Sequence, residues 1–276
     1  MSARELRRIG WDAVAVLFFL LMIFPIYWMV TTAFKPGRDI LTLTPVWVPL
    51  RPTLDNFAGA IAQPFFWNDV LNSILTVSAT VLVSVGLAFL AALAVARFRF
   101  RGRAAVLAML IGIQMVPLSA LVIPIFLFYD SLELVDTLLA VVLTYLAFVL
   151  PFMTWTLRGF IVNVPVEMEE QAMTDGCSRT GAFFRIVFPL VAPGLVATSV
   201  YAFIQAWNEY LIAYVLLRSG AHQTLTVWLA SFTTSHGTDW GGLMAGATLT
   251  GLPVVVFFLA LQRYIASGLT AGAVKG

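Results

Sequence analysis

Pro165–Pro189, PVEMEEQAMTDGCSRTGAFFRIVFP, is a long polar stretch set between hydrophobic runs, and it carries strong helix signals. Pro165 suits the first position of a helix, where a missing N–H removes no bond. Glu167, Glu169 and Glu170 follow in the first turn and a half, where negative charge opposes the positive end of the helix dipole. Gly176 is placed to end that helix and Ser178 to cap a second. Pro189 then marks the start of the next apolar run. The stretch predicts two short helices outside any apolar layer. Met168, Ala172 and Met173 share one face of the first, and Phe183, Phe184 and Val187 share one face of the second.

What flanks this stretch sets the class. Of 276 residues, 61% are hydrophobic and only 11% charged, which excludes an ordinary soluble domain. The apolar residues gather into uncharged runs of about 20 residues or more, the length a hydrocarbon layer asks of a helix. Six can be read: 13–34, 70–96, 104–129, 137–157, 186–217 (interrupted by Glu209) and 240–262. The fold expected is all-α, a polytopic membrane protein with six transmembrane helices. Arg4, Arg7 and Arg8 precede the first run, but that run is too long and too bulky for a cleaved secretory signal. Prolines 25, 117, 124, 151, 193 and 253 fall inside the runs, where neighbouring helices can satisfy the freed carbonyls.

Basic residues orient the chain. With the N-terminus in the cytoplasm, the inner segments hold twelve: Arg4, Arg7, Arg8, Arg97, Arg99, Arg101, Arg103, Arg158, Arg179, Arg185, Arg263 and Lys275. The outer segments hold four: Lys35, Arg38, Arg51 and Arg218. Both termini and the 165–189 stretch are thereby expected in the cytoplasm, so the two short helices lie between spans 4 and 5. The organisation expected is a cytoplasmic N-terminus over 1–12 and one transmembrane domain over 13–276, with a cytoplasmic tail over 263–276. No outer segment is long enough to form a ligand-binding domain, so tight capture of a solute is delegated to another protein.

The chemistry within the chain is sparse. The single cysteine, Cys177, excludes an intrachain disulfide, and its turn position asks only for a small residue. His222 and His236 share one outer loop without further ligands, so no metal site is expected. A phosphate loop of the form G-x-x-x-x-G-K-[ST] is absent, so this chain does not hydrolyse ATP by the usual route. No nucleophile, metal cluster or acid/base pair suggests an enzyme. The polar residues within the spans remain. Gln205, Asn208 and Glu209, with Tyr201 one turn earlier, fall on one helical face. A mid-membrane carboxylate is costly, so Glu209 should face the protein interior or a watery path. The group reads either as a wall of a solute pathway or as a hydrogen-bonded knot between helices. Gln114 is a further pathway candidate, as are Ser119, Thr144 and Tyr145, although one polar side chain per turn also serves as helix glue. The arginines from 97 to 103 admit three roles: binding acidic lipid headgroups, fixing topology, or touching a partner protein. Nucleic acid has no support in so short a loop.

The polar stretch also carries a resemblance. Glu170-Gln171-Ala172, then Gly176, then Ile186 and Phe188-Pro189 are similar to the EAA loop of permease subunits in binding-protein-dependent ABC importers. All spacings of that pattern hold; Gln171 stands where the pattern has Ala, and Phe188 where it has Leu. Further segments resemble the carbohydrate branch of these permeases, with the maltose type as its example: Phe24-Pro25 and Phe34-Lys35, the 96–102 junction, Pro151 leading to Arg158-Gly159-Phe160, Trp207-Asn208-Glu209-Tyr210, and the tail over 262–276. The resemblance implies a non-catalytic subunit of an ATP-driven importer for a sugar, oligosaccharide or polyol. It implies a second homologous permease, two cytoplasmic ATPase subunits holding ATP and Mg, an extracytoplasmic solute-binding protein, and a prokaryotic inner membrane as location. Coupling to the ATPase then falls to Glu167, Glu169, Glu170, Ala172, Asp175, Gly176, Ile186 and Pro189. Two other readings stand beside it: an ion-coupled secondary transporter using Glu209, and an importer permease for a solute such as glycerol phosphate.

Overall fold

The computed structural model describes the backbone of residues 3–273 and the side chains of residues 8–262. The expected cytoplasmic tail over 263–276 has its side chains outside the described residues. The regular secondary structure of the described residues is helical apart from one small hairpin, Thr233–Thr234 paired with Gly237–Thr238. Its helices are α1 (Ala3–Ala33), α2 (Asp55–Ile61), α3 (Phe66–Arg97), α4 (Arg103–Gln114), α5 (Leu118–Ser131), α6 (Leu138–Val162), α7 (Val166–Thr174), α8 (Arg179–Ala182), α9 (Phe188–Asn208), α10 (Leu211–Leu216), α11 (Leu225–Ala230) and α12 (Trp240–Ala273).

Among the described residues, five stretches are long and apolar enough to cross a membrane: 8–33, 66–97, 138–162, 179–208 and 240–262. A sixth span exists only if α4 and α5 are counted together, and they are bent by 99°. The uninterrupted span expected over 104–129 is therefore corrected to a broken pair. Pro117 is extended, with φ −66° and ψ 128°, and sits before the first residue of α5. A proline there removes one backbone donor and pushes Val116 out of the helical region. The other prolines within the runs, Pro25, Pro124, Pro151, Pro193 and Pro253, stay inside helices. The run expected over 186–217 is likewise shortened. Its helix ends at Asn208, and Glu209 is extended, with φ −71° and ψ 127°.

The chain divides into two compact units, Met1–Phe66 with Trp228–Pro253, and Trp67–Val227 with Val254–Gly276. In the first, the segment after α1 folds back on that helix. Asn56 Nδ2 donates to the carbonyls of Ala33 (2.9 Å) and Lys35 (2.8 Å), satisfying acceptors left open at the helix end. Tyr27 donates to the Trp47 carbonyl at 2.7 Å, and Trp28 and Trp47 meet edge to face at 5.7 Å. Lys35 is only 1% exposed. Its ammonium sits 3.8 Å from the Trp28 ring centroid and 3.2 Å from Thr32 Oγ1. Burial lowers its pKa, and the nearby Asp39 carboxylate offsets part of that effect. Gly241 is small for a reason: a Cβ there would stand 2.4 Å from Asn56 Oδ1.

The second unit is built on α6. Val149, Met153, Leu157 and Ile161 recur every four residues along one face and are fully or almost fully buried against Ala88 and Ala92 of α3 and Val191 and Ala202 of α9. At one end, Asp136 ties the α5–α6 connection to the segment after α10. Its Oδ1 accepts from the Arg218 and Ser219 amides at 2.8 and 2.9 Å, and its Oδ2 lies 3.1 Å from His222 Nδ1. Burial alone pushes this carboxyl up, but the two amides and His222 outweigh it and leave its pKa lowered.

At the other end of α6, Asn163 and Val164 lead into α7. Pro165 is the residue before the first turn of this helix, one position earlier than expected. Gly176 ends it as expected, at φ +92°, while the Cys177 amide reaches back to the Ala172 carbonyl at 3.0 Å. Ser178 caps the next helix by accepting from the Gly181 amide at 3.1 Å. That second helix is not separate: α8 runs through a π-helical turn, Phe183–Val187, directly into α9. Pro189, the second residue of α9, stands directly after the π-helical turn and does not interrupt this run.

Two outcomes are expected. Open space surrounds a Cβ at Gly176, so only backbone strain opposes substitution there. Gly176→Ala should cost about 1–2 kcal/mol in thermal unfolding, and Gly176→Asn clearly less, because Asn tolerates the left-handed region. Equal costs for the two variants would remove this account. For Asp136, a lowered folded-state pKa means stability is present above the ordinary carboxylate value and is lost as pH falls through the lowered one. Melting temperature in detergent should fall below roughly pH 4 for the wild type, and Asp136→Asn should be less stable at neutral pH and flat across that acid range.

Candidate functional site

The breaks at 114–118 and at 209 meet at one place. A cavity of about 460 Å³ within the second unit is lined by Gln114, Val116, Pro117 and Leu118 from the first break, and by Tyr201, Gln205, Asn208 and Glu209 from the second. Tyr145 and Phe148 of α6 complete the wall between them. All five expected pathway residues, Gln114, Tyr201, Gln205, Asn208 and Glu209, are thus brought to one surface. Of the weaker candidates, Tyr145 joins them. Thr144 is turned away, donating to the Ala140 carbonyl at 2.8 Å, and Ser119 lies outside the lining.

The basis for grouping them needs correction. Glu209 does not continue the helical face of Gln205 and Asn208, because α9 has ended. Its carboxylate works on the next helix instead: Oε1 accepts from the Ile212 amide at 2.8 Å and Oε2 from the Ala213 amide at 3.1 Å. This is how an acidic side chain satisfies the open donors of a helix start. Tyr145 donates its phenol proton to Glu209 Oε2 at 2.9 Å, and Thr226 Oγ1 donates to the Glu209 backbone carbonyl at 2.8 Å. Wall and knot are therefore the same residue. The carboxylate lines the cavity while both its oxygens are held by the chain's own donors.

The remaining polar groups are positioned with spare capacity. Gln114 Nε2 donates to the Phe148 carbonyl at 2.9 Å and Asn208 Nδ2 to the Ile204 carbonyl at 2.9 Å. Gln205 Nε2 donates to Tyr201 Oη at 3.2 Å, and the Tyr201 ring packs on Phe152 with centroids 4.1 Å apart. Each amide oxygen is left to accept from hydroxyl groups. The lining holds no lysine, arginine or histidine. Among the described residues no three His, Cys, Asp or Glu side chains are grouped so as to hold a metal ion.

The polar stretch forms a second site. On α7, Glu167, Glu170, Met168 and Met173 are exposed, as is Asp175 beyond its end, while Ala172 is half-buried. Ile186 lies half-buried in the π-helical turn and Pro189 is exposed. Glu169 is directed inward. Its Oε1 lies 2.6 Å from Arg97 Nη2, and the same nitrogen donates to the Val164 carbonyl at 3.0 Å. Arg97, the last residue of α3, therefore grips the entry to α7 with one side chain. The sequence gives no sign of this pairing, since 72 positions separate the partners; the signal that could have raised it is an arginine at a span end that topology alone did not require. Likewise the break at Glu209 had a local signal, an acid three residues before Ile212 with tyrosine between.

Against this geometry, residues 84–271 match the family model described as the binding-protein-dependent transport system inner membrane component. The chain is similar to the diacetylchitobiose uptake system permease protein DasC of Streptomyces coelicolor, with 42% identity over 269 residues and 98% of each chain covered. It is similar to the trehalose/maltose transport system permease protein MalG of Thermococcus litoralis, with 35% identity over 279 residues and all of both chains covered. Its fold matches a chain in the crystal structure of a bacterial ABC transporter involved in import of the acidic polysaccharide alginate, with a TM-score of 0.77 and 21% identity, over 96% of this chain and 99% of that one. A polytopic helical protein with a polar cavity between a broken span and the end of α9, matched over almost its whole length by transport permeases, belongs to the family of binding-protein-dependent transport system inner membrane components.

Proposed function

We propose that this chain is the membrane-spanning subunit of an ATP-driven importer that takes up a carbohydrate, forming half of the translocation pathway. The observation that carries the reading is the cavity between the broken α4–α5 pair and the end of α9, whose amides and phenol suit a hydroxyl-rich solute; the sugar substrates named for its relatives support it. Non-helical backbone at membrane depth is tolerated where it lines a cavity, and transporters place solute at such discontinuous helices. The Gln114, Gln205 and Asn208 amide oxygens would accept from sugar hydroxyls. The aromatic faces of Tyr201 and Phe148 would cover the apolar side of a ring.

The basic residues support a cytoplasmic placement of α7 and of both termini. There α7 would dock on an ATPase subunit that holds ATP and Mg, through Glu167, Glu170, Asp175 and the exposed methionines, with Gly176 setting the turn. The pull would travel along α8, the π-helical turn and α9, which form one helical rod from Arg179 to Asn208. Its far end is the cavity wall. A second permease would supply the other half of the pathway, two ATPases the drive, and an extracytoplasmic binding protein the solute. This chain would itself be non-catalytic, within a single transmembrane domain over 13–276.

An ion-coupled mechanism at Glu209 finds no support, because that carboxylate is engaged by Tyr145 and two backbone amides. A phosphorylated solute such as glycerol phosphate would meet no cation in this half of the cavity.

Proteoliposomes holding the whole transporter should take up solute only with Mg-ATP, and should continue after proton and sodium gradients are collapsed. Uptake that survives without ATP and stops with ionophore would sink the proposal. At the coupling helix, Arg97→Glu should cost about 3–5 kcal/mol as one partner of a half-buried ion pair and should cut uptake well below the wild type while the chain still inserts. The exchange Arg97→Glu with Glu169→Arg should restore a substantial part of uptake. No difference between the single and double variants would mean the pair does not hold α7.

A further inference from the structure

The connection between α3 and α4 reads Phe98-Arg99-Phe100-Arg101-Gly102. Its neighbour Arg97 is engaged by Glu169 and the Val164 carbonyl. Arg99 and Arg101 are different: both are exposed, and among the described residues neither guanidinium has an ion-pair or hydrogen-bond partner. Alternating with them, Phe98 is 55% exposed and Phe100 42% exposed. Gly102, at φ +92°, turns the chain back into α4. Five linking residues, extended at most about 17 Å and here folded into a turn, keep these four side chains beside the ends of two apolar helices.

Two bare guanidinium groups alternating with two bare aromatic rings, at the edge of an apolar layer, match one environment. Aromatic rings settle at the boundary between acyl chains and headgroups, and guanidinium binds phosphate oxygens in a two-pronged fashion. A protein contact would also bury such rings, but this loop joins the ends of two apolar helices, where a headgroup region accommodates both side-chain types. We propose that Phe98–Arg101 is a binding site for anionic phospholipid headgroups, with Arg99 and Arg101 as the phosphate ligands and Phe98 and Phe100 as the interfacial anchors. It adjoins the Arg97 grip on α7. The proposal does not depend on which solute is carried.

The test is a titration of the purified full-length transporter with phosphatidylglycerol and, separately, phosphatidylcholine, read by native mass spectrometry. Wild type should bind phosphatidylglycerol about 25-fold more tightly than phosphatidylcholine, with a preference that shrinks as salt rises. R99Q/R101Q should lower phosphatidylglycerol affinity by about 25-fold, about fivefold for each arginine near an anionic surface, and should leave phosphatidylcholine affinity unchanged. R99K/R101K should keep most of the preference. A wild type without preference, a preference insensitive to salt, or an unchanged R99Q/R101Q overturns the proposal. So does loss of a partner protein from R99Q/R101Q with lipid preference intact, which would assign the arginines to a protein contact. If R99Q/R101Q does not insert, the salt dependence of the wild type and the behaviour of R99K/R101K still decide the matter.

Discussion

A backbone amide or carbonyl without a partner is intolerable in hydrocarbon, and that constraint governs where this chain can depart from a helix. Within its apolar runs it departs twice, at 114–118 and at 209, and both departures border the same cavity. Neither break is left bare. Glu209 supplies its carboxylate to the amides of Ile212 and Ala213, and Thr226 covers the Glu209 carbonyl. Gln114, at the end of α4, binds the Phe148 carbonyl of the neighbouring span. The polar side chains of the cavity thus serve two ends at once: they complete the hydrogen bonding of broken helices and present their remaining acceptors to the space between.

The same economy appears at the opposite end of α6. Arg97 closes α3, pairs with Glu169 and holds the Val164 carbonyl, so one residue fixes a short helix that has little apolar surface of its own to bury. A nine-residue helix is marginal in isolation, and its position has to come from tertiary contacts. From its far side the chain turns at Gly176 and enters a continuous rod that ends at the cavity. The four-residue spacing of buried side chains on α6 gives that rod a rigid surface to lie against.

Much of this was legible in the chain. The apolar runs announce the spans because a hydrocarbon layer fixes a minimum length. Gly176 and Ser178 announce the turn because only certain residues adopt a left-handed backbone or cap a helix. Prolines were a poorer guide. Pro117 accompanies a 99° bend, whereas Pro25, Pro124, Pro151, Pro193 and Pro253 remain within helices. A proline only weakens a helix at its own position; whether the chain bends there depends on what neighbouring helices offer the freed carbonyls.

By itself, then, the sequence determined the class of protein, the number and place of its apolar runs, the polar stretch of short helices and the residue types of the cavity, because length, periodicity and capping are local physics. Tertiary structure decided what Glu209, Arg97 and Glu169 do. A carboxylate near the end of an apolar run continues the helix or caps the next one according to whether donors such as Tyr145 and Thr226 stand opposite it. An arginine closing a span stays free or grips a helix 72 residues on according to what the fold brings within reach. Those alternatives are separated by distances between remote residues, which no local pattern encodes.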